Sequence, residues 1–136
     1  MIPVIHYCGG YKYQLTRDYT VRLPIAGQEF EHDYFALYAD GTMIIRAGYA
    51  WDGPSGPTID TKSFMRGSLV HDVLYQAMRL ELLDRSWRET ADRILKEICI
   101  EDGMWKWRAQ MVYVAVRAWA APAAHPDHRR REMVAP

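Results

Sequence analysis

The stretch WDGPSGPTID, Trp51–Asp60, divides this chain into two halves with different residue periodicities. Its glycines and prolines are incompatible with both a helix and a central strand, and each proline fixes one φ angle, so the sequence predicts a rigid loop. Upstream, YKYQLTRDYTVRL (Tyr11–Leu23) mixes aromatic, β-branched and polar residues in rough alternation, a strand or hairpin pattern. DYFALYADGTMIIRAGY (Asp33–Tyr49) is clearer: two apolar runs flank Asp40-Gly41, a dipeptide suited to the positive φ angles of a tight hairpin turn.

Downstream the apolar spacing changes to three and four. With Ser63 as cap, a first helix is expected from about Phe64 to Arg79, its apolar positions being Phe64, Leu69, Val70, Val73, Leu74 and Ala77. Ser86-Trp87-Arg88-Glu89 has the form of a capping box, and a second helix follows to about Glu101, with Trp87, Ala91, Ile94, Leu95 and Ile98 apolar. Gly103 ends it. A third helix is expected over about Met104–Ala120, carrying Trp105, Met111, Val112, Val114, Ala115 and Trp119. The fold class is therefore α+β: N-terminal antiparallel hairpins or a sheet, then a three-helix C-terminal half. Residues 1–121 form a single domain, and 122–136 a loose tail without periodicity.

Composition narrows the function classes. At 136 residues the chain can bury a substantial core. Its 17 basic and 17 acidic residues cancel, so no global field draws it to nucleic acid. Two cysteines, Cys8 and Cys99, do not make a disulfide framework, and a reduced compartment fits. MIPVIHYCGGYKYQ lacks the basic and apolar regions of a secretory signal, and no window is long and apolar enough for a bilayer span. Synthesis in the cytoplasm is expected, with release, if any, by another route.

The polar residues inside the first helix are the chemical feature. SLVHDVLYQ (Ser68–Gln76) sets His71 beside Asp72, with Tyr75 one turn on. At 100° per residue, His71 and Asp72 point in different directions. A short connection makes the first two helices antiparallel. From His71 the chain descends roughly 12 Å and then climbs back about 8 Å to Asp92, at 1.5 Å per residue, so the two side chains can meet. A carboxylate on one imidazole nitrogen fixes the tautomer and frees the other nitrogen to take a proton from water. Asp72 turns toward the Gly/Pro loop, whose carbonyls, together with a carboxylate, suit a hard cation such as Ca²⁺. A zinc site would need a further histidine, and the placement of His6 and His32 does not follow from the sequence.

HDVLY, Asp92 on a facing helix and the upstream Gly-rich loop together resemble the active site of the phospholipase A2 superfamily, including its small viral-capsid members with their later Ala-Asp (here Ala91-Asp92). The resemblance spans about Tyr49–Cys99 and implies a phospholipase A2-like helix pair. It further implies His71 as general base, Asp92 as its orienter and Tyr75 as a supporting hydrogen-bond donor. Asp72 would be the side-chain calcium ligand, with carbonyls of Trp51, Gly53 and Ser55 completing the set. The many disulfides of the secreted enzymes have no counterpart here. Over most of its length, through YAWDGPSGP, FMRGSLVHDVLYQ and ADRIL, the chain is similar to a phage and prophage family known as domain of unknown function 1353.

Two functions follow as expectations. One is a phage-derived, calcium-assisted hydrolase of phospholipid or other esters, used for membrane breach during genome delivery. The other is a non-catalytic virion component, such as a tail or tail-tip accessory protein, in which His71 and Asp92 pin the helices and other virion proteins are the partners. Trp105 and Trp107, two residues apart, lie on nearly opposite helix faces, so at least one is expected in the core. The cluster His125, Asp127, His128 beside Arg129–Arg131 reads as solvated tail.

Overall fold

The computed structural model describes residues 4–8, 13–51 and 62–126. Seven short strands precede three helices: β1 (Tyr7–Cys8), β2 (Tyr13–Leu15), β3 (Tyr19–Arg22), β4 (Phe30–His32), β5 (Phe35–Leu37), β6 (Thr42–Ile45), β7 (Ala50–Trp51), α1 (Lys62–Arg79), α2 (Arg88–Glu101) and α3 (Lys106–Trp119). The α+β class is as expected, with antiparallel strands first and helices after.

The strands form two sheets, ordered β1-β2-β7 and β3-β6-β5-β4, and every pairing is antiparallel. Within Tyr11–Leu23, then, β2 and β3 do not pair with each other but join different sheets. Alternation decides which side chains enter the core. Tyr19, Ile45 and Phe35 line up across three strands, Val21, Met43, Leu37 and Phe30 across four, and all are buried. The β5–β6 hairpin turns where expected, but only Gly41 takes a positive φ (93°), after a turn closed by its N–H to Tyr38 O. Asp40 instead accepts from the Thr42 amide at 2.9 Å, an Asx turn in place of a second positive φ. A Cβ on Gly41 would lie 2.2 Å from Leu23 O, so space as well as φ demands glycine.

α1 buries all six of its expected apolar positions, with Met65, Tyr75 and Met78 added. It starts at Lys62, which puts Ser63 inside the helix and not at its cap. The expected capping box is also replaced. Asp84 accepts from Ser86 N at 2.8 Å and caps a 3-10 turn, Arg85–Trp87, that leads into α2. α2 ends at Gly103 (φ 102°) with Met104 N–H to Cys99 O and Gly103 N–H to Ile100 O, a Schellman closure. The two helices run antiparallel and close at Gly67, where a Cβ would stand 3.0 Å from Leu95 Cδ1 and 3.1 Å from Cys99 Sγ. Cys99 is free and buried, which pushes its thiol up to about 12.

Two expectations about the C-terminal part are corrected. Trp105 and Trp107 are both exposed, so neither is core; α3 buries Ala109 and Val112 against α2, and Met111, Val114 and Trp119 face outward. The segment after Trp119 is not loose throughout. Ala121–Ala124 form a 3-10 turn whose Ala124 is buried, and Arg79 Nη1 donates to Ala123 O at 2.8 Å. His125 is half-buried, while Asp127, His128 and Arg129–Arg131 lie outside the described residues. Among the described residues, no helix is long and apolar enough to cross a membrane.

Candidate functional site

Three turns of the α1–α2 seam assemble the site. Because α1 and α2 are antiparallel and close, residues around 71–75 of one face residues around 88–92 of the other. His71 Nε2 lies 2.7 Å from Asp92 Oδ1, the contact that the helix-rise arithmetic predicts. Tyr75, one turn along, donates its hydroxyl proton to the same oxygen at 2.6 Å, and its ring sits 4.1 Å from the imidazole, centroid to centroid.

Asp92 is 0 % exposed, so its charge must be compensated inside the protein. Its other oxygen, Oδ2, accepts from Arg117 Nη1 at 3.0 Å and stands 4.0 Å from Arg88 Nε. Burial alone would raise the carboxyl pKa, but the hydrogen bonds from His71, Tyr75 and Arg117 outweigh it and hold Asp92 below the ordinary carboxylate value. Burial, reinforced by the adjacent Asp92 carboxylate, keeps the Tyr75 phenol protonated well above its ordinary range.

Arg88 ties the cluster to α3. Its Nε donates to Tyr75 Oη at 3.0 Å, and its Nη2 donates to Val116 O at 2.6 Å and Arg117 O at 2.9 Å. These carbonyls close α3, where a cation is favoured by the helix dipole. Sequence reasoning missed Arg88 and Arg117. Arg88 was findable, since it stands four residues before Asp92 on one helix face; nothing local placed Arg117.

The imidazole is oriented by one edge only. With Nε2 taken by a carboxylate, the proton belongs on Nε2 and the lone pair on Nδ1. Among the described residues Nδ1 has no hydrogen-bond partner, and the side chain keeps 14 % exposure. That is the arrangement of a base held in one tautomer with its acceptor edge turned outward.

Asp72 points away from this pair. Its Oδ2 accepts from the Tyr49 hydroxyl, and Gln76 Oε1 lies 3.0 Å from that same hydroxyl. Tyr49 immediately precedes β7, so Asp72 faces the strand that leads to the Gly/Pro stretch. Trp51 lies in β7, and the stretch that follows it is outside the described residues. Its indole is buried and donates to Ser68 Oγ at 3.1 Å, and Ser68 in turn donates to Met65 O. Gly53 and Ser55 lie outside the described residues. Among the described residues no group of three or more His, Cys, Asp and Glu could hold a metal ion. His32 is engaged elsewhere, stacked on Phe35 with ring centroids 4.5 Å apart.

A second ionic cluster occupies the other end of the seam. Arg66, 2 % exposed, donates from Nε and Nη2 to Asp102, from Nη2 to Glu101 at 3.0 Å, and from Nη1 to Tyr19 Oη at 2.9 Å. It locks α1 to the end of α2 and to β3.

No curated protein and no solved structure matches the chain. One family profile does, described as "Protein of unknown function (DUF1353)", over residues 30–116. This interval begins at β4 and ends within α3, so it takes in both α1 and α2, including every described residue of the His71–Asp92 cluster except Arg117. The match covers well over half of the sequence, and the chain belongs to the family described as protein of unknown function DUF1353.

Proposed function

We propose that this chain is a calcium-assisted hydrolase of ester bonds, with phospholipid as the substrate class. One observation carries the reading: His71 is fixed through Nε2 by a fully buried carboxylate at 2.7 Å while its Nδ1 edge stays open among the described residues. In the reaction, Nδ1 of His71 takes a proton from water as that water attacks the acyl carbonyl. Asp92 holds the tautomer and stabilises the imidazolium that forms, and Arg117 and Tyr75 hold Asp92 in place. His71 then returns the proton to the leaving alkoxide. Asp72 would hold the cation, joined by backbone carbonyls of Trp51, Gly53 and Ser55 as an all-oxygen set of the kind a hard cation takes, and a bound Ca²⁺ would supply positive charge for the oxyanion. In a phage particle this activity serves membrane breach during genome delivery.

The test measures fatty-acid release from phospholipid vesicles with Ca²⁺ or with chelator, for the wild type and for His71→Ala. The expected result is calcium-dependent turnover that falls by about 10²–10⁴-fold in the variant, with nearly unchanged thermal stability. Turnover that survives in His71→Ala, or a wild type without turnover, overturns the proposal.

A second reading has its own observation. Arg117 and Arg88 compensate Asp92 beyond what orienting an imidazole requires, as a structural pin of a non-catalytic virion component would. In that case His71→Ala lowers stability by about 1–3 kcal/mol, and there is no turnover to lose.

A further inference from the structure

We infer that the outward face of α3 docks on an anionic phospholipid bilayer. Trp107, Met111, Val114 and Ala118 recur at intervals of four, three and four, which at 100° per residue confines them to an arc of about 60°. That arc lies opposite Ala109, Val112 and Val116, the positions packed against α2. α3 is thus apolar on two faces, and among the described residues only one is packed. Trp107 is 59 % exposed and Met111 62 %, while Trp105 and Trp119 flank the stripe at its two ends with 72 % and 83 % exposure. Three of the chain's five tryptophans therefore stand in water, two on α3 and one, Trp105, just before it.

Indole has an apolar body and one N–H, and it gains most where hydrocarbon meets water. A helix of 14 residues, about 21 Å long, cannot span a bilayer but can lie in the plane of its interface. Charge selects the surface. α3 contains Lys106, Arg108 and Arg117 and no acidic residue. Residues 104–136 hold six Lys or Arg against two Asp or Glu, although the whole chain balances at 17 each. Within α3 itself Lys106 and Arg108 stand on either side of the exposed apolar arc, as attraction to anionic headgroups requires. Arg117 is committed to Asp92, which leaves exposed Lys106 and half-buried Arg108 as the cations that α3 offers to a surface. A second copy would set this basic end against its own like charge, which disfavours self-pairing.

Docking needs no turnover, so the probe is a vesicle that ester chemistry cannot cleave. Vesicles of diether phosphatidylglycerol and diether phosphatidylcholine are mixed with the full chain and sedimented, and tryptophan emission is recorded. Expected are co-sedimentation and a blue shift that require the anionic lipid and weaken as salt is raised. Binding should fall at least tenfold in W105A/W107A, in Met111→Ser, and in K106E/R108E. Trp105, Lys106, Trp107 and Met111 are exposed and Arg108 is half-buried, and far-ultraviolet circular dichroism checks that each variant folds. Failure to sediment overturns the inference, as does binding that none of the variants reduces. A concentration-dependent dimer in analytical ultracentrifugation that W105A/W107A abolishes also overturns it, because a second copy then covers the face. None of these outcomes bears on the hydrolase reading, which is tested by turnover alone.

Discussion

The seam between α1 and α2 holds two ionic clusters, and each answers a buried charge in a different way. At one end Arg66 is a cation surrounded by Asp102, Glu101 and Tyr19. At the other Asp92 is an anion surrounded by His71, Tyr75 and Arg117. Both satisfy the rule that a buried charge needs partners. The Arg66 cluster is chemically closed, because a guanidinium does not release its proton in the accessible pH range. The Asp92 cluster includes an imidazole, a group that can take up and release a proton, and one edge of that imidazole has no partner among the described residues. A fold can therefore fasten one helix pair twice while leaving chemistry available at only one fastening.

Removing each hub in turn sharpens this contrast. The largest effect is expected from Asp92→Ala, which leaves a tyrosine and an arginine without their shared acceptor. Chemical denaturation should show a loss of about 3–5 kcal/mol. A loss under about 1 kcal/mol would mean that Asp92 is not the hub of its cluster. Next comes Arg66→Lys, which keeps the charge but loses the planar fork that spans Asp102 and Tyr19. About 1–3 kcal/mol is expected, measured in the same way, and hydrolysis should be unaffected. If turnover instead falls with Arg66→Lys, the two clusters are not independent. Tyr75→Phe should cost about 1–2 kcal/mol, since Asp92 keeps its other donors while Arg88 loses one acceptor.

The pH dependence separates the clusters further. Asp92 is held below the ordinary carboxylate value in the folded protein, so the unfolded chain takes up its proton first as pH falls. The stability that Asp92 contributes is fully present above about pH 4 and is lost as pH drops through its lower folded value. Thermal melting between pH 7 and pH 3 should therefore fall more steeply for the wild type than for Asp92→Asn. Equal slopes would show that other carboxylates govern acid unfolding.

The Asp92 cluster was foreseen and the exposed face of α3 was not, for a physical reason. His71 and Asp92 are both fixed by the rise and pitch of two neighbouring helices, so their contact follows from residue counting. Trp105 and Trp107 carry the apolar character of core residues, and local pattern alone assigned at least one of them inward. Among the described residues no element covers that side of α3, which no local pattern reports.

By itself the sequence determined the elements: periodicity of two before the Gly/Pro stretch, three and four after it, a hairpin at Asp40-Gly41 and a stop at Gly103. These depend on backbone sterics and on which face of a local element is apolar, and both are properties of neighbouring residues. Only the tertiary structure decided that β2 and β3 belong to different sheets, that Asp84 and not Ser86 caps the approach to α2, and that Tyr49 reaches Asp72. It also brought Arg117 to Asp92 across 25 residues of chain. Such contacts join groups whose separation depends on the path of the whole backbone, because a buried charge takes its partner from whatever element packing brings near.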